Sequence, residues 1–192
     1  MSFIILVTAL SGLCIVSAGL IFSLKNREMS EKGRSESERA LEAIKTRRVI
    51  LPAEPENEEG QDLCIYKSSV EGTDYIGTLK IEKLELELPV AAQWSYDQLQ
   101  KSPCLYFGDS FDCLVIAAHN YSSHFGKLKQ LEAGDEIIIE NIYGEKIKYR
   151  VELLEVLSPF EEESMTAGDY NLTLFTCTPG GGSRLAVRCS GD

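Results

Sequence analysis

From Tyr75 onward the chain alternates apolar and polar positions in short runs of period two, the mark of half-buried strands. In YIGTLKI, Gly77, Leu79 and Ile81 share one face, and Thr78 and Lys80 share the other. LELELPV continues the alternation through Leu84, Leu86 and Leu88. FDCLVIAAH is instead a nearly unbroken apolar run, as a central strand buried on both faces requires. DEIIIENI and EKIKYRVELLEVL flank Tyr143-Gly144, which predicts a hairpin turn. In the second of these, Ile147, Tyr149, Val151 and Leu153 alternate with Lys146, Lys148, Arg150 and Glu152. The phase slips at Leu153-Leu154, which predicts a bulge or a bend. NLTLFTC and SRLAVRC complete a set of about eight strands, while FGKLKQL and SYDQLQ predict one or two short helices. Many short strands with closely spaced turns predict an all-β domain, either a closed barrel or a sandwich.

The N-terminal pattern is different. Residues 3–24, FIILVTALSGLCIVSAGLIFSL, carry no charge and are long enough to cross a bilayer as a helix rising ~1.5 Å per residue. Lys25 and Arg27 close the run. It lacks a basic n-region and is longer than a signal-peptide core, which predicts an uncleaved transmembrane anchor. The positive-inside rule, applied to Lys25, Arg27, Lys32 and Arg34, would put the following domain in the cytoplasm. Residues 26–48 are polar and rich in helix formers, with a short apolar stripe of Ala40, Leu41, Ala43 and Ile44. They read as a juxtamembrane helical stalk or as a solvated spacer. Residues 51–63, LPAEPENEEGQDL, hold two prolines, one glycine and five acids. That is linker composition, although such a segment could also lie over a site as a lid. The expected organisation is an anchor at 1–25, stalk and acidic linker at 26–63, and a catalytic domain at 64–192.

A formal net charge of −11 argues against a nucleic-acid partner, because no basic stripe is available to neutralise phosphates. The six cysteines are Cys14, Cys64, Cys104, Cys113, Cys177 and Cys189. They form no CxxC pair and no Cys/His spacing typical of zinc, and the two histidines are too few for a His-rich metal site. Most of them read as small buried thiols, with a disulfide such as Cys104–Cys113 open in an oxidising compartment.

The chemistry concentrates in TLFTCTPGGGSRLAVRC. Cys177 ends one strand-like run, and Arg184 opens the next after a Pro-Gly-rich turn. His119 ends the upstream apolar run LVIAAHN. Thiol-based acyl transfer needs a nucleophile, a proton carrier and a cation for the oxyanion, and these three residues supply that set. If their strands are neighbours, all three side chains reach one rim of the barrel. Arg188 rivals Arg184 on the same face but lies deeper along the strand. His124 reads as a capping or surface residue with a further chance of contacting substrate; Asn120 and Thr176 are candidates to support the site by hydrogen bonds.

Together, AAHN with His119, TLFTC with Cys177 and SRLAVR with Arg184 resemble the sortase family of cysteine transpeptidases. YIGTLKIEKLELELPV resembles the family's opening strands, so the resemblance spans Tyr75 to Cys189. It implies a closed eight-stranded sortase β-barrel and recognition of a sorting signal of the LPxTG type on surface proteins. It implies that Cys177 forms a thioacyl intermediate, that His119 handles protons and that Arg184 holds the oxyanion. An amine of the cell wall or of a pilin lysine would then accept the acyl group. No cofactor is expected. Some sortases bind calcium through loop carboxylates, but Glu161, Glu162 and Glu163 read as a solvated face. The Cys177–Arg184 turn is short, and residues 51–63 lack the Asp-Pro-aromatic lid motif of pilin-polymerising members. The short turn leaves subclass and substrate open, and the missing lid motif points to a class B-like or class D-like enzyme over a pilin polymerase. The resemblance also implies an extracytoplasmic catalytic domain on a single-pass anchor, against the juxtamembrane charge bias. Competing expectations are a cysteine peptidase or thioesterase using water as acceptor, and a non-catalytic surface barrel.

Overall fold

The computed structural model describes residues 2–48, 64–168 and 170–191. A long helix, α1 (Ser2–Arg48), precedes the strands β1 (Ser68–Val70), β2 (Thr73–Ile81) and β3 (Leu86–Ala91). A single helical turn, α2 (Tyr96–Leu99), leads to β4 (Cys104–Phe107) and β5 (Leu114–Ala117). After a 3-10 segment, Phe125–Gln130, come β6 (Glu136–Asn141) and β7 (Lys146–Leu157), then α3 (Glu162–Thr166), β8 (Leu172–Cys177) and β9 (Arg184–Gly191).

The strand order is β1-β2-β3-β4-β5-β8-β9-β7-β6, and β6 pairs back onto β2. Eight strands, β2 to β9, therefore close into a barrel, and β1 is a short ninth strand added to β2. Closure removes the sheet edges that would otherwise be exposed. The barrel interior is packed by Ile76, Leu79, Ile116, Ile139, Leu174 and Val187, all fully buried. β5 is buried at all four positions, as its unbroken apolar run requires: Leu114 and Ile116 face the main core, while Val115 joins a second cluster on the outer face.

Three local expectations are revised. Leu84 is not in a strand: Glu82–Leu84 form a 3-10 turn, and Glu85 takes a left-handed conformation at φ 54° before β3 starts. FGKLKQL does form the expected short helix, of the 3-10 type. The β7 bulge falls between Val151 and Leu153, one residue earlier than the slip in the pattern. Beyond it Leu153 turns outward and Leu154 packs on the core. Cys104 and Cys113 form no disulfide: Cys104 is buried with its thiol directed at the Ser102 carbonyl, and Cys113 is exposed on the β4–β5 turn.

The second half of α1 lies against the barrel. Ile44 is buried with Val70, Tyr75, Ala91 and Cys104, and Ala40 and Ala43 pack alongside. Arg47 donates to the Ser69 carbonyl at 2.7 Å, and Arg48 pairs with Glu140 at 2.5 Å. The uncharged run 3–24 forms the first half of the same helix, but the side chains of residues 2–19 and 22 lie outside the described residues. Among the described residues, no helix is long and apolar enough to cross a membrane. The acidic segment 51–63, with its linker and lid readings, also lies outside the described residues.

Candidate active site

β8 and β9 form an antiparallel pair whose register runs from Leu172↔Cys189 to Cys177↔Arg184. Leu172 and Leu174 point into the main core, so Thr173, Phe175 and Cys177 lie on the opposite, outer face. Cys177 and Arg184 are direct partners at the open end of this pair. The turn between them is tied by hydrogen bonds from the Thr178 N–H to the Ser183 carbonyl (3.0 Å) and from the Gly181 N–H to the Thr178 carbonyl (2.8 Å). Gly180 and Gly181 both sit at positive φ, 86° and 74°, a conformation that glycine adopts without steric cost.

β5 runs parallel to β8, with Ala117 opposite Phe175 as the last pair. His119 follows two residues beyond that pair, as Cys177 does beyond Phe175. The Ala118 N–H donates to the Phe175 carbonyl at 3.2 Å, and the Thr176 hydroxyl donates to the Ala118 carbonyl at 2.8 Å. Thr176 is thus a buried tie between the cysteine strand and the residue preceding the histidine. The topology brings Cys177, His119 and Arg184 to one rim, each half-buried.

The two arginines of β9 differ sharply. Arg188 is fully buried and consumed: it pairs with Glu155 at 2.6 Å and donates to the Met165 carbonyl (2.8 Å), the Thr173 hydroxyl (3.0 Å) and the Ser164 carbonyl. It also lies over the Tyr170 ring at 5.3 Å. Among the described residues, Arg184 donates only to two carbonyls of its own turn, Gly181 at 3.2 Å and Ser183 at 3.1 Å. Those weak local bonds leave guanidinium capacity for an anion beside Cys177.

The other described cysteines are poorly suited to nucleophilic work. Burial pushes the Cys104 and Cys189 thiols up to about 12, and Cys64 and Cys113 sit on the surface by the β4–β5 turn. Burial also lowers the His119 pKa below the usual imidazole value, so the ring is neutral at neutral pH. A neutral imidazole beside a thiol can accept the proton that the thiol must lose.

Outside the barrel wall, Val115, Phe175 and Ala186 form an apolar floor flanked by Tyr106, Leu157 and Met165. Tyr106 meets Phe175 edge-on at 5.1 Å and Trp94 at 6.2 Å, and Trp94 meets Tyr96 at 5.1 Å. This aromatic row approaches Cys177 along the face that Cys177 itself occupies. No periodicity singles it out, because the residues come from three separate segments.

The remaining expected site residues are dispersed. Asn120 lines a cavity of about 730 Å³ between α1 and the loop after β5. His124 is not a surface residue: it holds the N-cap position of the 3-10 segment, but its side chain makes no cap bond and is fully buried under α1. The ring that meets His119 is Tyr121, stacked at 4.8 Å with planes 29° apart. Tyr121 was visible in the sequence only as the aromatic residue between two histidines in HNYSSH. Among the described residues, no three His, Cys, Asp or Glu side chains gather to hold a metal ion.

Residues 79–191 match the family model described as Sortase domain. No curated protein sequence matches the chain. Among solved structures, sortase C1 of Streptococcus suis is 33% identical, with 62% of this chain and 73% of that chain covered at a TM-score of 0.53. Sortase C-3 of Streptococcus pneumoniae is 26% identical, covering 86% and 84% at a TM-score of 0.58. A Clostridium perfringens sortase D5 transpeptidase shares the fold at 21% identity and a TM-score of 0.62, with 82% and 99% covered. The chain belongs to the sortase family of cysteine transpeptidases.

Proposed function

We propose that Cys177, His119 and Arg184 carry the transpeptidation, acting on a sorting signal of the LPxTG type. The observation that supports this most is the shared rim: Cys177 opposite Arg184 in the β8–β9 register, and His119 two residues beyond the last β5–β8 pair, Ala117↔Phe175. In acylation, the Cys177 proton passes to His119 and the sulfur attacks the carbonyl carbon of the Thr–Gly bond. The oxyanion forms beside the Arg184 guanidinium. His119 then protonates the leaving amine as the C–N bond breaks, which leaves a thioacyl-enzyme. In the second half, an amine attacks the thioacyl carbon and gives its proton to His119. The tetrahedral adduct collapses, and the proton returns to the departing Cys177 sulfur. The apolar floor of Val115 and Phe175, with its aromatic row, offers an extended peptide the cover that its non-polar side chains need.

The acceptor is an amine of a cell-wall precursor or a pilin lysine, and the client is a surface protein with a C-terminal sorting signal. The solved relatives span the C and D classes. The missing Asp-Pro-aromatic motif favours a B-like or D-like enzyme. We also assign residues 3–24 as a single-pass anchor with the catalytic domain outside the cell. Leu20, Ile21 and Leu24, at the end of that run, are exposed apolar side chains with no protein cover, which suits a lipid boundary. A reporter fused after residue 192 tests the orientation; reporter activity confined to the cytoplasm would overturn it.

Incubation of the protein with an LPxTG-type peptide and a saturating primary amine tests the reaction. The expected product joins the peptide's Thr to the amine. Hydrolysis alone, despite saturating amine, would instead identify a peptidase or thioesterase. No turnover of any such peptide would favour a non-catalytic barrel.

A further inference from the structure

The loop from His119 to Phe125 is closed on itself. The Phe125 N–H donates to the His119 carbonyl at 3.1 Å, and the His124 and Gly126 N–H groups both donate to the Tyr121 carbonyl at 2.9 Å. Phe125 is fully buried in the barrel core, which fixes the loop's inner end. Its outer side is held by α1. Ser123 and Ser30 lie hydroxyl to hydroxyl at 3.2 Å, and the Ser123 hydroxyl also reaches the Ser30 carbonyl at 3.2 Å.

His124 is the centre of that contact. It is fully buried, and its Nε2 lies 3.4 Å from the Ser37 hydroxyl of α1. The Ser37 hydroxyl donates to the Lys101 carbonyl at 2.5 Å, so its oxygen is left to accept from the His124 Nε2–H. The Nδ1 atom finds no hydrogen-bond partner among the described residues. α1 comes this close because residue 33 is glycine. A Cβ there would lie 2.5 Å from the Gln100 carbonyl oxygen and 3.4 Å from the His124 ring. Glycine inside a helix costs about 1 kcal/mol relative to alanine. At Gly33 that cost permits the helix to seat on the loop.

From His124 a row of rings leads to the site. Its ring lies 5.6 Å from that of Tyr121, tilted by 43°, and Tyr121 stacks on His119 at 4.8 Å. One face of the His119 imidazole is therefore set by a ring that α1 holds through His124.

We propose that Tyr121 and His124 are positioning residues that couple α1 to His119, so that the Gly33–Ser37 turn of the helix sets the orientation of the imidazole. This rests on the assignment of His119 as the proton carrier. It makes α1 part of the active-site support as well as the continuation of the anchor run. A change in how the helix seats would then alter turnover from outside the peptide groove.

The full chain contains only two histidines, His119 and His124, so labelled imidazole carbons give two resonances that His119→Ala assigns. Tyr121→Leu and Gly33→Ala are each expected to shift the His119 resonance and its titration midpoint. Each is expected to lower kcat for an LPxTG-type peptide roughly ten- to a hundredfold, with KM within about twofold, as a misoriented catalytic group does. Tyr121→Phe, which keeps the ring, is expected to restore most of the rate lost in Tyr121→Leu. Wild-type His119 resonance and kcat in folded Gly33→Ala and Tyr121→Leu would overturn the coupling. Should Tyr121→Leu fail to fold, Gly33→Ala decides alone, because Gly33 touches neither His119 nor the peptide groove. An active His119→Ala would instead overturn the assignment of His119, and the resonance shifts would still report the coupling.

Discussion

The two ends of the β8–β9 pair carry an arginine each on the same face, four residues apart, and use them in opposite ways. At the lower end Arg188 is buried, and its donors are taken by Glu155, Met165, Ser164 and Thr173. At the rim Arg184 is half-buried, bonds only its own turn among the described residues and faces Cys177 across the register. A guanidinium saturated by fixed partners holds structure together. One with donors to spare beside a thiol can meet a charge that appears only during reaction. Hydrogen-bond accounting thus separates residues that sequence spacing places on one face.

The largest expected effect breaks the lower end. Arg188→Ala removes a buried cation and strands the carbonyls of Met165 and Ser164, so stability falls by about 3–5 kcal/mol, a range typical of a broken buried pair. The lower end of that range is expected, because the Glu155 side chain is 37% exposed and can turn to water. Denaturant unfolding measures the loss, while the folded fraction keeps kcat/KM within a fewfold. Arg184→Ala is expected to do the reverse. Its kcat/KM falls about 10²–10³-fold, the cost of losing an oxyanion donor, with almost no change in unfolding midpoint. Equal stability losses in the two variants would erase the distinction.

The next effect is a pH dependence of stability centred on the loop behind the rim. Burial and the nearby His119 push His124 down to about 4 from an ordinary value of 6.5. The unfolded chain therefore binds the proton first as pH falls. The stabilisation is complete above about pH 6.5 and declines through the window down to about pH 4, by roughly 3 kcal/mol in all. Unfolding titrations of wild type and His124→Gln measure it, and the variant should lose most of that slope. The smallest effect concerns Thr176. Thr176→Val cuts the hydroxyl bond to the Ala118 carbonyl and should cost about 1–3 kcal/mol, because that buried carbonyl loses a partner. A several-fold loss of kcat should accompany it, since the same bond ties the cysteine strand to His119.

Much of this fold was legible in the sequence. Period-two runs gave β2, β3 and the β6–β7 hairpin, and the unbroken run of β5 marked a strand buried on both faces. Leu84 misled because it keeps the alternation while the backbone turns through Glu85 at positive φ, and alternation does not report φ. The three rim residues were legible because each stands at a strand end, where topology turns sequence distance into proximity. His124 was not: a histidine among Ser122, Ser123 and a following helix signal looks like a cap, and its burial depends on α1 arriving from 87 residues away. Tyr121 was hidden for the same reason, since ring stacking leaves no periodic trace. The difference between Arg184 and Arg188 shows only when the hydrogen-bond partners of each are set side by side.

Everything at the rim turns on Cys177 as the residue proposed to carry the acyl group. The most direct measurement is the intact mass of the full chain, quenched in acid after brief mixing with an LPxTG-type peptide and no added amine. The expected result is a mass increase equal to the peptide acyl fragment, mapped to Cys177, reversed by an added primary amine and absent in Cys177→Ala. Product formation by Cys177→Ala, or an acyl adduct mapped to any other residue, would contradict that role.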